Sequence, residues 1–175
     1  AAGAARRVAG AEPGSGGETG TPRAGGAPVV GAPAVGAPVV GASAVAAAAE
    51  YAERVLALVD AERAKAGCRP LRRDSRLRSA AQGHADDMAA RGYYAHDNPE
   101  GRDAGDRMAA AGYDWRTWGE NIHRGPRNAA RAVRDWMASS EHRKNIVNCA
   151  FKDIGVGVNL RSNGPWWVQN FAAAG

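Results

Sequence analysis

Three polar side chains in the second half of the chain are of types that can bind a metal ion or transfer a proton. His96 lies in the turn-forming stretch "RGYYAHDNPEG", Glu120 lies in "GENI", and His142 lies in "SSEHRKN". Each lies outside the apolar stripes of the predicted elements. The chain carries no H-E-x-x-H, G-x-S-x-G or G-x-x-x-x-G-K-[ST] motif and no dinucleotide-binding glycine pattern, so no catalytic motif assigns these groups a reaction.

Apolar residues at helical spacing predict four helices that must position these groups. The predicted helices run over residues 51–67, 75–92, 103–111 and from 128 onward. Asp74 or Ser75 caps the second helix and Gly92 ends it. Asn128 caps the fourth helix, whose apolar period is the clearest in the chain. His142 falls at the start of a further short helix.

Alternation of apolar residues predicts three strands near the carboxyl end. Residues 154–160 alternate in this way, as expected for a strand buried on one face, and the turn "RSNGP" leads into "WWVQNF". These two segments should pair as an antiparallel hairpin. Because a lone hairpin is unstable in water, we expect residues 117–122, "TWGENI", to add a third strand. Helices around a few antiparallel strands indicate a layered α+β domain.

The first 45 residues differ in composition from the rest of the 175-residue chain, being mostly Ala, Gly, Pro and Val. They predict a disordered linker or leader remnant ahead of one domain over residues 46–175. Residues 25–49 contain no charge before Glu50, but regularly spaced Pro and Gly argue against a transmembrane helix. A signal peptide remains open, with "ASA" at residues 42–44 as the cleavage site.

The net charge of +5 is spread through the chain, with its densest basic run in "CRPLRRDSRLR". A solvated helix surface explains this run better than phosphate binding does, so we expect no nucleic-acid partner. His84 shares an apolar face with Leu77 and Met88, which predicts a hydrogen-bonded core histidine rather than a ligand.

Two cysteines, Cys68 and Cys149, are separated by 81 positions. Neither belongs to a C-x-x-C pair or to a zinc-finger pattern, so a structural zinc site is not predicted. A disulfide would form if the chain is exported, closing a long loop and stabilising the fold by roughly 4 kcal/mol. Two buried thiols are the alternative that the residues alone leave open.

Several ordered motifs together resemble one known family. The stretches are "HADDMAARGYYAHDNPEG", "GENI", "VRDWMASSEHRKNI" and "IGVGV" followed by "WWVQNF". They resemble the bacterial, SCP-like branch of the CAP superfamily of cysteine-rich secretory, antigen 5 and pathogenesis-related proteins, over about residues 50–173. The resemblance implies a three-layer α-β-α sandwich with a small antiparallel sheet, an extracellular setting and pairing of Cys68 with Cys149.

The same resemblance implies a cleft that holds two histidines and two glutamates. His96 and His142 match the histidines and Glu120 matches one glutamate, whereas Ser139 stands where the second glutamate is expected. Glu141 is the nearest replacement. Two imidazoles and a carboxylate can hold Zn²⁺ or another divalent cation and leave a position open for water. Alternatively, the same groups form a hydrogen-bonded cluster that fastens the loop to the sheet.

Two functions are compatible with these features. The first is a secreted, monomeric binding domain that recognises a lipid or sterol, a cell-wall component or a protein. The second is a metal-dependent extracellular hydrolase, resembling a peptidase, in which Glu120 is the general base on a metal-bound water. We favour the binding domain because no second signature accompanies the candidate base.

Overall fold

The computed structural model describes the backbone of residues 40–175 and the side chains from residue 42 onward. Within this part, five helices and four strands alternate along the chain. The helices are α1 (Val40–Lys65), α2 (Ser75–Arg91), α3 (Ala104–Ala110), α4 (Ala129–Ala138) and α5 (Ser140–Ile146). The strands are β1 (Arg72–Arg73), β2 (Trp115–Arg124), β3 (Asp153–Asn159) and β4 (Trp166–Ala174).

Helix α1 begins at Val40, eleven residues earlier than predicted. Residues 40–45, assigned from composition to the linker, are therefore helical. The physical reason is that Pro38 is the last proline before the helix, and the segment that follows is rich in alanine, the strongest helix former. The rest of the predicted linker, residues 1–39, lies outside the described residues. Within residues 40–175, no helix is both long and apolar enough to cross a membrane.

The four strands form one sheet in the order β1-β3-β4-β2. The β3–β4 hairpin and the antiparallel pairing of β2 with β4 confirm the predicted strands. Strand β1 pairs in parallel with β3 and was not predicted, because two residues are too few to show an alternation. Helices α2 and α3 pack on one face of the sheet and α1, α4 and α5 on the other. This arrangement confirms the three-layer α-β-α sandwich.

Two glycines in β3 allow helix α2 to lie directly on the sheet. A Cβ at Gly155 would lie 2.1 Å from the backbone of Leu77 and Arg78, and one at Gly157 would lie 2.4 Å from the carbonyl carbon of Ala81. Val156, between the two glycines, and Val158, after them, face the core on the opposite side of the sheet. The prediction that β3 is buried on one face only was therefore wrong: both faces are buried, because the glycine face accepts a helix backbone.

The disulfide predicted between Cys68 and Cys149 is present, with the two Cα atoms 5.1 Å apart. Beside it, the buried Arg63 donates hydrogen bonds to the carbonyls of Ile146, Asn148 and Phe151. The crosslink and this guanidinium together tie the end of α1 to the segment that follows α5.

The arginine run before α2 forms a solvated and partly neutralised surface. Its ion pairs join Arg72 to Asp153, Arg73 to Glu53 and Arg76 to Asp74. This pairing is typical of a solvated surface, and the expectation of no nucleic-acid partner stays a prediction.

Replacing Gly155 by alanine should lower the free energy of unfolding by about 3 kcal/mol, because the new methyl group would overlap the backbone of α2. The matched control is Gly83→Ala, on the exposed side of α2, where a Cβ meets nothing within 4 Å. This change should raise stability by about 0.5–1 kcal/mol. Urea unfolding of both variants measures the difference. Equal effects would show that α2 does not rest on β3 as described.

Candidate functional site

Glu120 lies on the buried face of strand β2. Strand alternation places its side chain on the same face as those of Trp118 and Ile122, and the residue is 0 % exposed. The sequence interpretation that Glu120 lies outside the apolar stripes was therefore wrong. A carboxylate in this position must be compensated by partners, because burial alone strongly disfavours its charged form.

Three side chains from different elements supply that compensation. His96 Nδ1 lies 2.8 Å from Glu120 Oε1, and since a carboxylate can only accept, this nitrogen carries the proton. Arg107 Nη2 donates to Oε2 over 2.7 Å. The amide of Asn170, oriented to satisfy both of its neighbours, donates to the same oxygen over 3.1 Å.

These contacts keep Glu120 ionised inside the protein. Burial raises the pKa of the Glu120 carboxyl, but the hydrogen bond from His96 and the charge of Arg107 outweigh burial, and the pKa lies below its usual value. The carboxylate is therefore a fixed anion, with both oxygens engaged and no exposure to water.

Arg107 is the functional residue that the sequence analysis missed. Its guanidinium also donates to the carbonyls of His96 and Arg102, so it fixes the loop between α2 and α3 as well as the carboxylate. The sequence contained a signal for its burial. Arg107 follows Ala104 by three positions and precedes Met108, and both of these residues are on the buried side of α3. The short length of α3 hides this pattern.

His96 is held in its loop by local geometry at both ends. Gly92 closes α2 in the left-handed conformation, with φ 69°, and redirects the chain toward β2. Farther on, the Asn98 side chain accepts from the backbone N–H of Arg102 and tightens the turn. The imidazole is 13 % exposed, and its Nε2 atom has no hydrogen-bond partner within residues 40–175.

His142 reaches the same region from the opposite layer. It lies in the first turn of α5, where the Ser139 hydroxyl accepts from its backbone N–H over 3.5 Å. Ser139, at the position of the missing glutamate, therefore caps a helix. Because β2 is an edge strand paired only with β4, the α5 layer and the His96 loop can approach each other around this edge. His142 is 5 % exposed, which corrects the expectation that it lies outside the core.

The two imidazoles influence each other electrostatically. Burial, followed by electrostatic interaction with His96 and His123, lowers the pKa of His142 to about 4. Its Nε2 atom, like that of His96, has no hydrogen-bond partner among the described residues. His142 is therefore a neutral imidazole near neutral pH, with a nitrogen lone pair available to a ligand.

A network of buried side-chain amides joins the backbone of β2, at Glu120, to the backbone of α5, at His142. Asn121 donates to the carbonyl of His142 and to Gln169 Oε1. Asn145 donates to the carbonyl of Glu120 and to Asn121 Oδ1. These bonds satisfy buried backbone carbonyls, and the network fixes α5 against β2.

Glu141 does not join the cluster. Its side chain is 56 % exposed and pairs with Lys144 over 2.8 Å. With Glu120 fully engaged, no group of three or more His, Cys, Asp or Glu side chains in residues 40–175 is arranged to hold a metal ion. The predicted three-ligand set does not fit this geometry. What remains are the Nε2 atoms of His96 and His142.

The other two histidines and three of the tryptophans have structural roles. His84 is 1 % exposed and its Nε2 lies 2.9 Å from the Ala95 carbonyl, which confirms a hydrogen-bonded core histidine. His123 is partly buried and its Nε2 lies 3.0 Å from Asp135. Trp118, Trp166 and Trp167 are buried in the core.

Comparisons with known proteins agree with this architecture. The sequence model of the cysteine-rich secretory protein family, CAP, matches residues 56–171. The uncharacterized protein YkwD of Bacillus subtilis is 38 % identical over 121 residues, covering 69 % of this chain and 46 % of YkwD. The uncharacterized membrane protein YlbC of the same organism is 30 % identical over 68 % of this chain and 33 % of YlbC. The chain thus spans less than half the length of these curated relatives.

Solved structures share the fold. An extracellular SCP-domain protein from Bacillus anthracis superposes with a TM-score of 0.72 at 27 % identity, covering 78 % of this chain and 45 % of that one. An outer surface protein of Borrelia burgdorferi superposes with a TM-score of 0.67 at 20 % identity, over 72 % of this chain and 94 % of that one.

Removing the guanidinium from the buried network should be strongly destabilising. Arg107→Met leaves Glu120 with an uncompensated charge and should lower the free energy of unfolding by about 3–5 kcal/mol. Adding Glu120→Gln should restore part of this loss, since the two changes are coupled. The control Lys144→Met breaks an exposed pair and should change stability by less than about 1 kcal/mol. Additive losses in the denaturant-based double-mutant cycle would contradict the network.

The buried His142 should make the fold lose stability in acid at pH values higher than those at which carboxylates titrate. In the unfolded chain a histidine binds a proton below about pH 6.5, whereas His142 in the fold binds one only near pH 4. Stability is therefore full above pH 6.5 and is lost as the pH falls toward 4, by about 2 kcal/mol between pH 7 and 4.5. Urea unfolding at both pH values should show this loss reduced in His142→Gln. Equal losses would contradict it.

Proposed function

Because the chain belongs to the cysteine-rich secretory protein (CAP) family, we propose that it acts as an exported binding domain rather than as an enzyme. In this proposal the Glu120 cluster fastens the His96 loop and α3 to the sheet. The Nε2 atoms of His96 and His142 are left as the ligand-binding groups of the cluster.

The observation that carries this proposal is the complete engagement of Glu120. A general base must accept a proton from water or substrate, yet this carboxylate has zero exposure and its oxygens already accept from His96, Arg107 and Asn170. Its lowered pKa makes it a weak base as well. The geometry therefore opposes the hydrolase mechanism, in which Glu120 activates a metal-bound water.

A divalent cation is the ligand that suits two imidazole nitrogens without hydrogen-bond partners on side chains that interact electrostatically. The hydrogen bond between His96 Nδ1 and Glu120 orients the ring and leaves Nε2 as its available atom, the arrangement in which a histidine ligand is usually supported. Zn²⁺ accepts such ligands. Glu120 then orients a ligand and is not one itself. Two protein ligands are fewer than zinc sites usually have, so we expect weak binding.

The disulfide bond of the chain supports export. A disulfide joins Cys68 to Cys149, and such bonds persist in oxidising compartments outside the cytosol. One structural neighbour is described as an extracellular protein.

An apolar ligand, such as a lipid, is supported by a hollow of about 540 Å³ between α1, α2 and the end of β3. Its apolar lining comes from Ala44, Val45, Ala48, Ala49, Val158 and Leu160. Val45 is 69 % exposed, which is unusual for a large apolar side chain. Arg78 and Arg161 also line the hollow and suit an anionic head group. In this proposal the lipid lies apart from the histidines, since none of them lines the hollow.

A calorimetric zinc titration of the full chain tests the cation site. The wild-type protein should bind one Zn²⁺ weakly, and His142→Gln should abolish binding because one of the two imidazole ligands is lost. Glu141→Gln is the matched control: it alters the neighbouring, exposed residue and should leave the affinity within about twofold, since Glu141 pairs with Lys144 instead.

Two outcomes would count against the proposal. Unchanged zinc binding in His142→Gln, or no binding by the wild-type protein, would reject the cation site. Hydrolysis of a casein substrate by the zinc-loaded protein, lost in Glu120→Gln without unfolding, would instead favour the hydrolase.

A further inference from the structure

A second hollow, four of whose nine lining residues are arginines, lies at the Arg124 end of β2. It has a volume of about 520 Å³ and is formed by the end of β2, the following turn and the outer face of α4. The basic hollow is lined by His123, Arg124, Gly125, Pro126, Arg127, Asn128, Arg131, Arg134 and Asp135. The four arginines and one aspartate together contribute a net charge of +3 to this lining.

Two of the four guanidinium groups are held in place. Arg131 Nε lies 2.8 and 3.0 Å from the two carboxylate oxygens of Asp135. Arg124 stacks on the Trp166 ring at 4.5 Å and donates to the carbonyl of Asn163. Their orientations are therefore fixed before any ligand binds, which reduces the entropy lost on binding.

Asp135 is the anchor of this arrangement. Burial raises the pKa of its carboxyl, but hydrogen bonds from His123 and Arg131 outweigh burial, and the pKa lies below its usual value. Asp135 therefore remains an anion. Both of its oxygens accept from Arg131 Nε, and Oδ2 lies 3.0 Å from His123 Nε2.

The other two arginines carry uncompensated charge. Arg127 and Arg134 are exposed, and neither makes a salt bridge with a carboxylate within residues 40–175. Arg131 and Arg134 are three positions apart and lie on the same side of α4, and Arg127, which precedes the N-cap Asn128, lines the same hollow. Like charges held close together repel one another, and an anion placed between them relieves that repulsion.

We propose that the basic hollow binds the phosphate groups of a small, multiply charged anion. Planar guanidinium groups form paired hydrogen bonds with phosphate oxygens, and a net charge of +3 matches a ligand with two or more negative charges better than a monocarboxylate. The volume lies in the range of small-molecule sites. This site is separate from the His96–His142 pair and does not depend on the proposed cation or lipid.

The lining distinguishes a small anion from larger polyanionic surfaces. Single-stranded nucleic acid is usually bound by exposed aromatic rings on which bases stack, and the lining residues include no Trp, Tyr or Phe. A membrane-binding surface presents large apolar side chains beside its cations, and the lining residues include none.

The test is calorimetric titration of the full chain with pyrophosphate at low ionic strength. The wild-type protein should bind it, with affinity that falls as salt is added. Arg127→Ala/Arg134→Ala should weaken binding by about tenfold or more, since two charge-assisted interactions are lost. The control Arg116→Ala/Arg143→Ala removes the same charge from exposed positions that line neither the basic hollow nor the apolar one and should change affinity by less than about threefold.

Circular dichroism should show that both double variants are folded, because all four arginines are exposed. Equal weakening in the two variants would overturn the proposal by showing a general charge effect. Absence of pyrophosphate binding would also overturn it. Binding only to phosphatidylglycerol vesicles, or only to a single-stranded oligonucleotide, would assign the hollow to a membrane or to nucleic acid instead.

Discussion

The buried charge of Glu120 constrains the structure around it more than any other single group. A carboxylate with no access to water is tolerated only when its charge and its lone pairs are compensated. Here the compensating groups come from the loop after α2, from α3 and from β4. The ion-paired network therefore links the loop and α3 to the sheet.

The edge position of β2 explains how residues from opposite layers meet. In the middle of a three-layer sandwich, side chains on the two faces of a sheet are separated by the sheet itself. Glu120 points to the α2–α3 face, whereas its neighbour Asn121 points to the α5 face and donates to the His142 carbonyl. Since β2 is the last strand of the sheet within residues 40–175, the His96 loop can extend around this edge. The histidine pair therefore depends on topology as much as on local sequence.

Sequence reasoning succeeded where the physical signal was local. The Asp74 and Gly92 caps and the apolar period after Asn128 located α2 and α4 closely, because caps and periodicity act within a few residues. It failed for the start of α1, where compositional bias concealed the helical propensity of alanine, and for the two-residue β1, whose only determinant is pairing with β3. It also missed Arg107, because the partner that explains its burial, Glu120, is distant in sequence. The family resemblance brought His96, Glu120 and His142 together, but residue types alone could not distinguish a ligand from a group that orients one.

Arg107 also limits the chemistry available to the cluster. A guanidinium already neutralises Glu120, so the carboxylate contributes little net negative charge to attract a second cation, and any metal near His96 would lie close to a permanent positive charge. Protonation of His142 would add a further positive charge, and its lowered pKa, caused first by burial, keeps that imidazole neutral near neutral pH. With Ser139 capping α5 in place of a second glutamate, the cluster has one anion fewer than a site of two histidines and two glutamates. The physical consequence is a rigid fastening between loop, helix and sheet, in which the proposed cation site has two imidazole nitrogens and no free carboxylate.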